Sequence, residues 1–319
     1  MFEKKIKLAI CICTWNRAEM LKSTLESISN LDLPEDLKSN WEVLVVDNNS
    51  PDNTKQITAR FEPIIPIRYE FMGTPGKSNA LNHALSTLDA QFIAFTDDDV
   101  RLPKNWISQY WGAIKQADEK IAFWGAGVTP WFEKEPNQEM ANALPSVRTG
   151  FCGINLPENV LIPDSNCKAL PVGANCVFRY EAIKDRRFDT KLGPNGTSHV
   201  TSEEWKMMRE LIATGYRGQW VRDNEVLHYV PSTRLTLKYL FRFYKGLGCA
   251  EALNNTECDS RRVFGVPIWL VKMLVVSIGR CSIGFATRNH FKFYTQFAKA
   301  SSIIGRIEGY RRIACFNRK

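Results

Sequence analysis

The chain has 319 residues, 44% hydrophobic and 24% charged, ordinary globular proportions with enough length for one large domain or two modest ones. Nine cysteines occur in no Cys-x-x-Cys or Cys/His metal spacing, and no signal peptide precedes the first strand-like run. Zinc frameworks and disulfide scaffolds are thereby excluded, and reduced thiols in a cytoplasmic protein are expected.

The net charge of +8 is unevenly spread. From Arg234 onward sixteen Lys+Arg face four Asp+Glu, a balance of +12 that leaves −4 for residues 1–233. A mildly acidic body with a basic C-terminal stretch suits an anionic surface as partner, membrane or nucleic acid.

Residues 7–13 form an apolar run, as a central parallel strand requires. Thr14-Trp15-Asn16-Arg17 follows, and then Met20, Leu21, Leu25 and Ile28 are spaced for one face of a helix. Residues 41–46 read as a second strand ending in the polar tip Asp47-Asn48-Asn49-Ser50-Pro51-Asp52. A helix and a short strand over 67–71 come next, then the turn at Gly73-Thr74-Pro75-Gly76 and a helix over 77–88. The run 91–95 is a further strand, and it delivers Asp97, Asp98 and Asp99 to one point. Three adjacent anions repel one another, so a divalent cation with oxygen ligands is their natural counterion; a solvated acidic turn is the plainer alternative. Strand–helix alternation predicts an α/β fold with a mostly parallel, Rossmann-like sheet, and ligands in such sheets lie beyond the carboxyl ends of the strands. Neither the GxGxxG fingerprint nor a P-loop is present.

Four stretches carry a resemblance: Cys13-Thr14-Trp15-Asn16-Arg17, Val46-Asp47-Asn48-Asn49-Ser50-Pro51-Asp52, Gly76-Lys77-Ser78-Asn79-Ala80-Leu81-Asn82 and Asp97-Asp98-Asp99. In that order and spacing they resemble family-2 glycosyltransferases of the GT-A fold. The resemblance implies an inverting, metal-dependent transfer of a sugar from a nucleotide-sugar donor. It implies that Thr14, Asn16, Arg17, Asp47 and Asn49 hold nucleobase and ribose, and that Gly76, Lys77 and Asn82 lie along the nucleotide. Asp99 then ligates Mg²⁺ or Mn²⁺, with Asp97 and Asp98 near the ribose or the metal. Trp15 stands where the family often has Tyr.

Residues 124–171 look irregular, and Trp131 and Phe132 read either as packing residues or as acceptor contacts. Gly173 and Asn175 in Val172-Gly173-Ala174-Asn175 match the family's turn beside the donor sugar. Residues 191–198, with two glycines and a proline, read as a mobile lid. Ser202-Glu203-Glu204 opens a helix. Its acids suit the helix dipole, but they also match the family's acidic pair, which implies Glu204 as general base with Glu203 as the alternative. Here Glu stands for the family's Asp and Ser202 for its Gly. His228 lies in a strand-like piece, as a core histidine or, by the resemblance, as a metal or diphosphate ligand.

Beyond residue 232 the pattern changes. Leu237, Leu240, Phe241 and Tyr244 oppose Arg234, Lys238, Arg242 and Lys245, a basic amphipathic helix of the kind that lies in a membrane interface. Residues 263–285 are apolar but broken by Pro267, Lys272, Gly279 and Arg280, and read as interfacial or packed rather than spanning.

The expected organisation is therefore a GT-A catalytic domain over 1–232, with a nucleotide-binding half of about 1–100 and an acceptor half of about 101–232. A basic helical extension over 233–319 follows. The expected activity is transfer of a sugar, from a UDP-sugar by preference, to a glycan or lipid-linked hydroxyl in surface polysaccharide synthesis, on the cytoplasmic face of an anionic membrane. The competing readings are an inactive nucleotide-binding relative, a nucleotidyltransferase and a nucleic-acid-binding protein. The last lacks any recognisable module, so no nucleic-acid partner is expected.

Overall fold

The computed structural model describes residues 6–156, 158–162, 170–193, 202–254 and 261–316. The expected lid falls outside them from residue 194 on. Two compact units emerge. The first comprises residues 1–131, 152–190 and 203–229, the second residues 132–151, 191–202 and 230–319.

The first unit opens with β1 (Ile6–Thr14), α1 (Ala18–Ser29), β2 (Trp41–Asp47), α2 (Thr54–Ala59), β3 (Ile67–Phe71), α3 (Lys77–Thr87) and β4 (Ala90–Asp97). After these come β5 (Val100–Arg101), α4 (Trp106–Gln116), β6 (Ile121–Gly125) and β7 (Val128–Phe132). In chain order α5 (Gln138–Val147), β8 (Leu161–Ile162), β9 (Cys176–Arg179), α6 (Tyr180–Ile183), α7 (Glu203–Ala213), β10 (Arg217–Trp220) and β11 (Val226–Val230) follow.

Eight strands form one sheet in the order β3-β2-β1-β4-β9-β6-β10-β8. β1, β2, β3 and β4 are mutually parallel, and so are β6 and β10. β9 runs antiparallel between β4 and β6. Alternating residues of the inner strands are buried on both faces, which explains their unbroken apolar runs. Ile10, Ile12, Val43 and Val45 pack with α1 and α4 on one side; Ala9, Cys11, Leu44 and Val46 pack with α3 and α7 on the other. A small second sheet, β5-β11-β7, stands apart from the large one. The stretch expected to be irregular thus contains two strands and a helix. α5 accommodates Pro145 near its C-terminal end, and Asn137 caps its start by accepting from the Met140 N–H.

The second unit is built on α8 (Leu237–Asn254), α9 (Ile268–Ala286) and α10 (His290–Phe316), with a two-strand hairpin, β12 (Arg262–Val263) and β13 (Val266–Pro267), before α9. α5 belongs to this unit: Met140, Ala143 and Val147 share a core with Leu240 and Tyr244 of α8 and Tyr294 and Ala298 of α10. The apolar face of α8, expected at a membrane interface, is therefore largely consumed inside the protein. α8 and α10 approach closely through glycine. A side chain on Gly248 would strike the Ser302 carbonyl, and one on Gly305 the Lys245 carbonyl.

Gly305→Val is expected to destabilise the second unit by about 3 kcal/mol, because the neighbour is rigid backbone. Gly279→Ala, at a helical position with nothing within 4 Å, should stabilise it by about 0.5–1 kcal/mol. Chemical denaturation of both variants beside the wild type checks the pair.

Candidate active site

Strand register brings the polar residues to one edge. Thr14 at the end of β1 lies beside Asp47 at the end of β2, and Cys13 lies beside Asp97 at the end of β4. The strand order changes direction around β1, where α/β sheets open a crevice for ligands.

The first two tips are stitched together. Asp52 accepts from the Ala18 N–H at 2.9 Å, satisfying an orphan donor at the start of α1. The Asn16 N–H donates to Ser50 Oγ at 2.9 Å. Asn16 and Asn49 both take left-handed backbone, φ 54° and 66°, which Asn tolerates better than most residues; both are exposed at the rim. Asp47 is buried and accepts from the Ser50 N–H at 2.8 Å and the Tyr69 hydroxyl at 2.7 Å. Asn48 accepts from the Gly76 N–H at 2.7 Å and donates to the Met72 and Thr74 carbonyls. That fixes the turn into α3, where Gly76 has φ 123°, a region closed to most other residues.

The Asp triplet lies beside this edge. Thr14 Oγ1 donates to Asp98 Oδ2 at 2.7 Å, and Arg17 Nη1 bridges Asp98 Oδ1 at 2.9 Å and Asp99 Oδ2 at 3.0 Å. Burial pushes the Asp98 carboxyl up to about 6; Arg17 opposes this and Asp99 adds to it. Pairing of β11 with β5 sets His228 opposite Val100, and the Tyr229 N–H donates to the Asp99 carbonyl at 2.8 Å. His228 Nε2 consequently lies 3.3 Å from Asp99 Oδ1.

Lys77 links this group to the acidic helix start. Its Nζ is 3.1 Å from Asp97 Oδ1, 2.9 Å from Glu204 Oε1 and 3.5 Å from Glu203 Oε1. A cation in the first turn of α3 is on the wrong end of the helix dipole, so the carboxylates must hold it there. Burial disfavours its charge, but Asp97, Glu204 and Glu203 outweigh that and raise its pKa well above the lysine range. Burial likewise opposes ionisation of Asp97, yet Lys77 and then His228 hold its pKa below the ordinary value. Burial, reinforced by Glu204, pushes Glu203 up to about 8.

Several of the expected ligand contacts are engaged by protein groups. Asn175 is fully buried. It accepts from Trp106 Nε1 at 2.8 Å and the Tyr110 hydroxyl at 2.7 Å, and donates to the Gly127 and Asn224 carbonyls, each at 2.8 Å. Its amide is spent on joining α4 to the segments that lead into β7 and β11. Asn82 clamps the Phe188 backbone, donating to its carbonyl at 2.9 Å and accepting from its N–H at 2.7 Å. Gly173 makes room for a protein group: a Cβ there would collide with the Glu204 carboxylate. Thr96 fixes that turn by donating to the Ala174 carbonyl at 3.0 Å. Lys77 is engaged with carboxylates rather than extended along an open groove.

The cluster fits a hard divalent cation. Asp97, Asp99 and His228 each offer one ligand atom, all within 4.8 Å of one another, and the two carboxylates suit Mn²⁺ or Mg²⁺. With Glu203 neutral, four carboxylates face Arg17 and Lys77, leaving an excess of two negative charges.

Asn48, Asp52, Tyr69 and Thr24 were not singled out from the sequence. Thr24 Oγ1 donates to the Asp98 and Val100 carbonyls, both at 2.9 Å, and so shapes the turn of the triplet from within α1. Asx chemistry in the 47–52 tip was the one available signal; nothing local marks Thr24 or Tyr69.

The fold and this edge define a GT-A glycosyltransferase. The sequence profile of glycosyl transferase family 2 matches residues 9–186, and the chain belongs to that family. It is 27% identical over 310 residues to the succinoglycan biosynthesis protein ExoM of Rhizobium meliloti, covering 91% of this chain and 90% of that protein. It is 30% identical over 269 residues to the glycosyltransferase AglE of Haloferax volcanii, covering 83% and 80%. The mannosyltransferase PcManGT of Pyrobaculum calidifontis, solved with GDP-Man and Mn²⁺, superposes with a TM-score of 0.61 at 16% identity over 99% of this chain and 89% of that one. TarS of S. aureus, solved with UDP-GlcNAc, gives 0.53 at 16% identity over 98% and 92%.

Asn175→Ala is expected to cost about 3 kcal/mol of stability, since it leaves several buried partners unsatisfied; denaturant titration measures it. Glu203 gives a pH-dependent expectation. Its folded pKa is raised from 4.5 to about 8, so between those values the native state keeps a proton that the unfolded state releases. This group's stabilisation is present at low pH and is lost as pH rises through that window. Glu203→Gln removes the slope. The melting temperature of the variant minus that of the wild type should therefore increase from pH 5 to pH 8.

Proposed function

We propose that this glycosyltransferase moves a sugar from a nucleotide-sugar donor to a hydroxyl of a glycan or lipid-linked acceptor by a single, inverting displacement. The carrying observation is Lys77, whose ammonium lies 3.1 Å from Asp97 and 2.9 Å from Glu204. The metal-type cluster and the candidate base are thus one cation apart, about the reach of a sugar–diphosphate linkage.

In this reading Glu204 takes the proton of the acceptor hydroxyl. The freed oxygen pair forms the new bond to the anomeric carbon. The bond from that carbon to the diphosphate oxygen breaks, and its electron pair leaves with the nucleoside diphosphate. Asp99, Asp97 and His228 would hold a divalent ion, which supplies Lewis-acid neutralisation of the leaving diphosphate. Thr14 and Arg17 keep Asp98 and Asp99 in register. Asp47 and the exposed Asn16 and Asn49 form the rim on which base and ribose would rest. Glu203 is the alternative base, but its proton and complete burial favour Glu204.

The donor is read as a UDP-sugar, a preference that rests on the family alone; TarS is known with UDP-GlcNAc and PcManGT with GDP-Man. The likeness to ExoM, a succinoglycan biosynthesis protein, supports an acceptor in surface polysaccharide synthesis. The basic excess of residues 234–319 suits an anionic membrane on the cytoplasmic side.

Calorimetric titration with UDP, GDP and dTDP, with and without Mn²⁺, tests donor class and metal together. One nucleotide should bind, and only with metal; Asp99→Asn should abolish that binding. Glu204→Gln should retain nucleotide affinity and lose turnover by about 10²–10⁴-fold, and near-normal turnover would remove Glu204 as the base. Gly173→Ala, which displaces the Glu204 carboxylate, should follow Glu204→Gln in losing turnover while still binding nucleotide.

A further inference from the structure

The apolar face of α8 is largely turned inward, but the second unit exposes another apolar surface. Among the described residues seventeen large hydrophobic side chains are exposed, and nine of them fall between residues 263 and 291. α9 carries most of these. It is 19 residues long, apolar enough to cross a membrane by length and composition, and only 17% of its apolar window is buried.

The buried part of α9 is a narrow seam. Leu270, Ser277 and Gly284, seven residues apart, are its buried positions. At Gly284 a Cβ would lie 2.7 Å from the Phe293 nitrogen of α10, so the two helices are in close contact where the chain reverses. The remaining arc faces outward. Val271, Val275, Ile278 and Phe285 recur at i, i+4, i+7 and i+14, one stripe of a helix, with Val275 66% and Phe285 74% exposed. Lys272 lies on one flank of that stripe and Arg280 on nearly the opposite side of the helix. Both are exposed, and their long stems let the charges rise while the stems stay in apolar surroundings. At the tip of the hairpin before α9, Phe264 is 85% exposed next to Arg261 and Arg262.

Charge narrows the choice of occupant. Residues 261–307 contain eight Lys+Arg and no Asp or Glu. A second copy of the chain packed on this face would bring like charges together with no acid in the segment to pair them. An anionic lipid surface would instead complement them. Crossing the bilayer is disfavoured by the partner helix. α10 packs against both α8 and α9 and carries Lys292, Lys299, Arg306, Glu308, Arg311 and Arg312. A spanning α9 would draw those charges toward hydrocarbon.

We propose that α9 lies in the plane of an anionic phospholipid bilayer, with Val271, Val275, Ile278 and Phe285 in the acyl region and Lys272 and Arg280 at headgroup level. This rests on the membrane reading above and deepens it: the unit is held by an inserted apolar stripe, with charge in support.

Flotation of the full chain with vesicles of 30% phosphatidylglycerol in phosphatidylcholine tests it, at 0.15 M and 0.5 M salt. The wild type should float with these vesicles and largely remain bound at 0.5 M salt. Val275→Asp/Ile278→Asp should lower the bound fraction at least tenfold at both salts, with the melting curve and nucleotide affinity unchanged. If that pair lowers the melting temperature, Ile278→Ser/Phe285→Ser repeats the comparison with milder changes, and the same loss is expected. Binding that high salt removes and the substitutions do not disturb would overturn the insertion and leave a charge-held membrane protein. No flotation of the wild type at either salt would overturn both readings. A wild type that sediments as a dimer without lipid, does not float, and becomes monomeric in the Asp pair would assign the face to a second copy and overturn the proposal.

Discussion

Five carboxylates crowd the carboxyl edge of the sheet, and two cations make that tolerable. Asp97, Asp98, Asp99, Glu203 and Glu204 are all buried or nearly so. At about 4 Å and an effective dielectric near 20, each like-charged pair repels by about 4 kcal/mol. Arg17 neutralises one side by bridging Asp98 and Asp99, and Lys77 the other by joining Asp97 to Glu204. The two cations differ in kind. A planar guanidinium meets two carboxylates at fixed angles, whereas an ammonium is a point charge that several acids can share. Lys77 accordingly sits at the meeting point of three acids drawn from β4 and α7. Burial, with the neighbouring acid adding to it, shifts Asp98 and Glu203 toward the neutral form. An edge that retains excess negative charge is ready for a divalent ion and the diphosphate that would accompany it.

That arrangement depends on ordinary backbone chemistry some distance away. Asn48 and Gly76 set the angle at which α3 presents Lys77, Thr24 holds the turn of the triplet, and Asn175 fastens β9 to α4 so that the Gly173 turn meets α7. Losing any of these moves a charge rather than deleting one. In a buried cluster a displaced charge is about as costly as a missing partner, because an unpaired ion in low dielectric keeps its full desolvation penalty.

How much of this was legible in the sequence depends on separation along the chain. The strands, their polar tips and the triplet could be read because each is a local pattern: an apolar run, then turn formers, then acids. The same patterns identified the family. What a pattern could not distinguish is a side chain that meets a ligand from one that builds the cradle. Asn175 and Asn82 stand in family-like motifs, yet Asn82 grips a backbone 106 positions away and Asn175 receives Trp106 across 69. Gly173 stands in a turn that resembles one beside a donor sugar, and the space a Cβ would take there is filled by Glu204 from a helix 31 positions on. Such partnerships are set by the sheet order, with β9 inserted antiparallel between β4 and β6, and no local spacing encodes that.

The C-terminal helices show the same limit for surfaces. On a helical wheel α8 looks like the membrane element, since its apolar and basic faces are cleanly divided. α9 looks compromised by Pro267, Lys272 and Arg280. Packing changes which of the two helices presents apolar surface to the outside. Gly248 and Gly305 let α8 and α10 approach so closely that Leu240 and Tyr244 are sealed against α5 and α10, and little apolar surface remains on α8 for lipid. Pro267 falls just before the first turn of α9, where a missing N–H is harmless. Lys272 then falls to one side of the stripe of Val271, Val275, Ile278 and Phe285, and Arg280 on nearly the opposite face. Amphipathicity records which face of a helix avoids water, but only the neighbouring elements decide whether protein or lipid covers it.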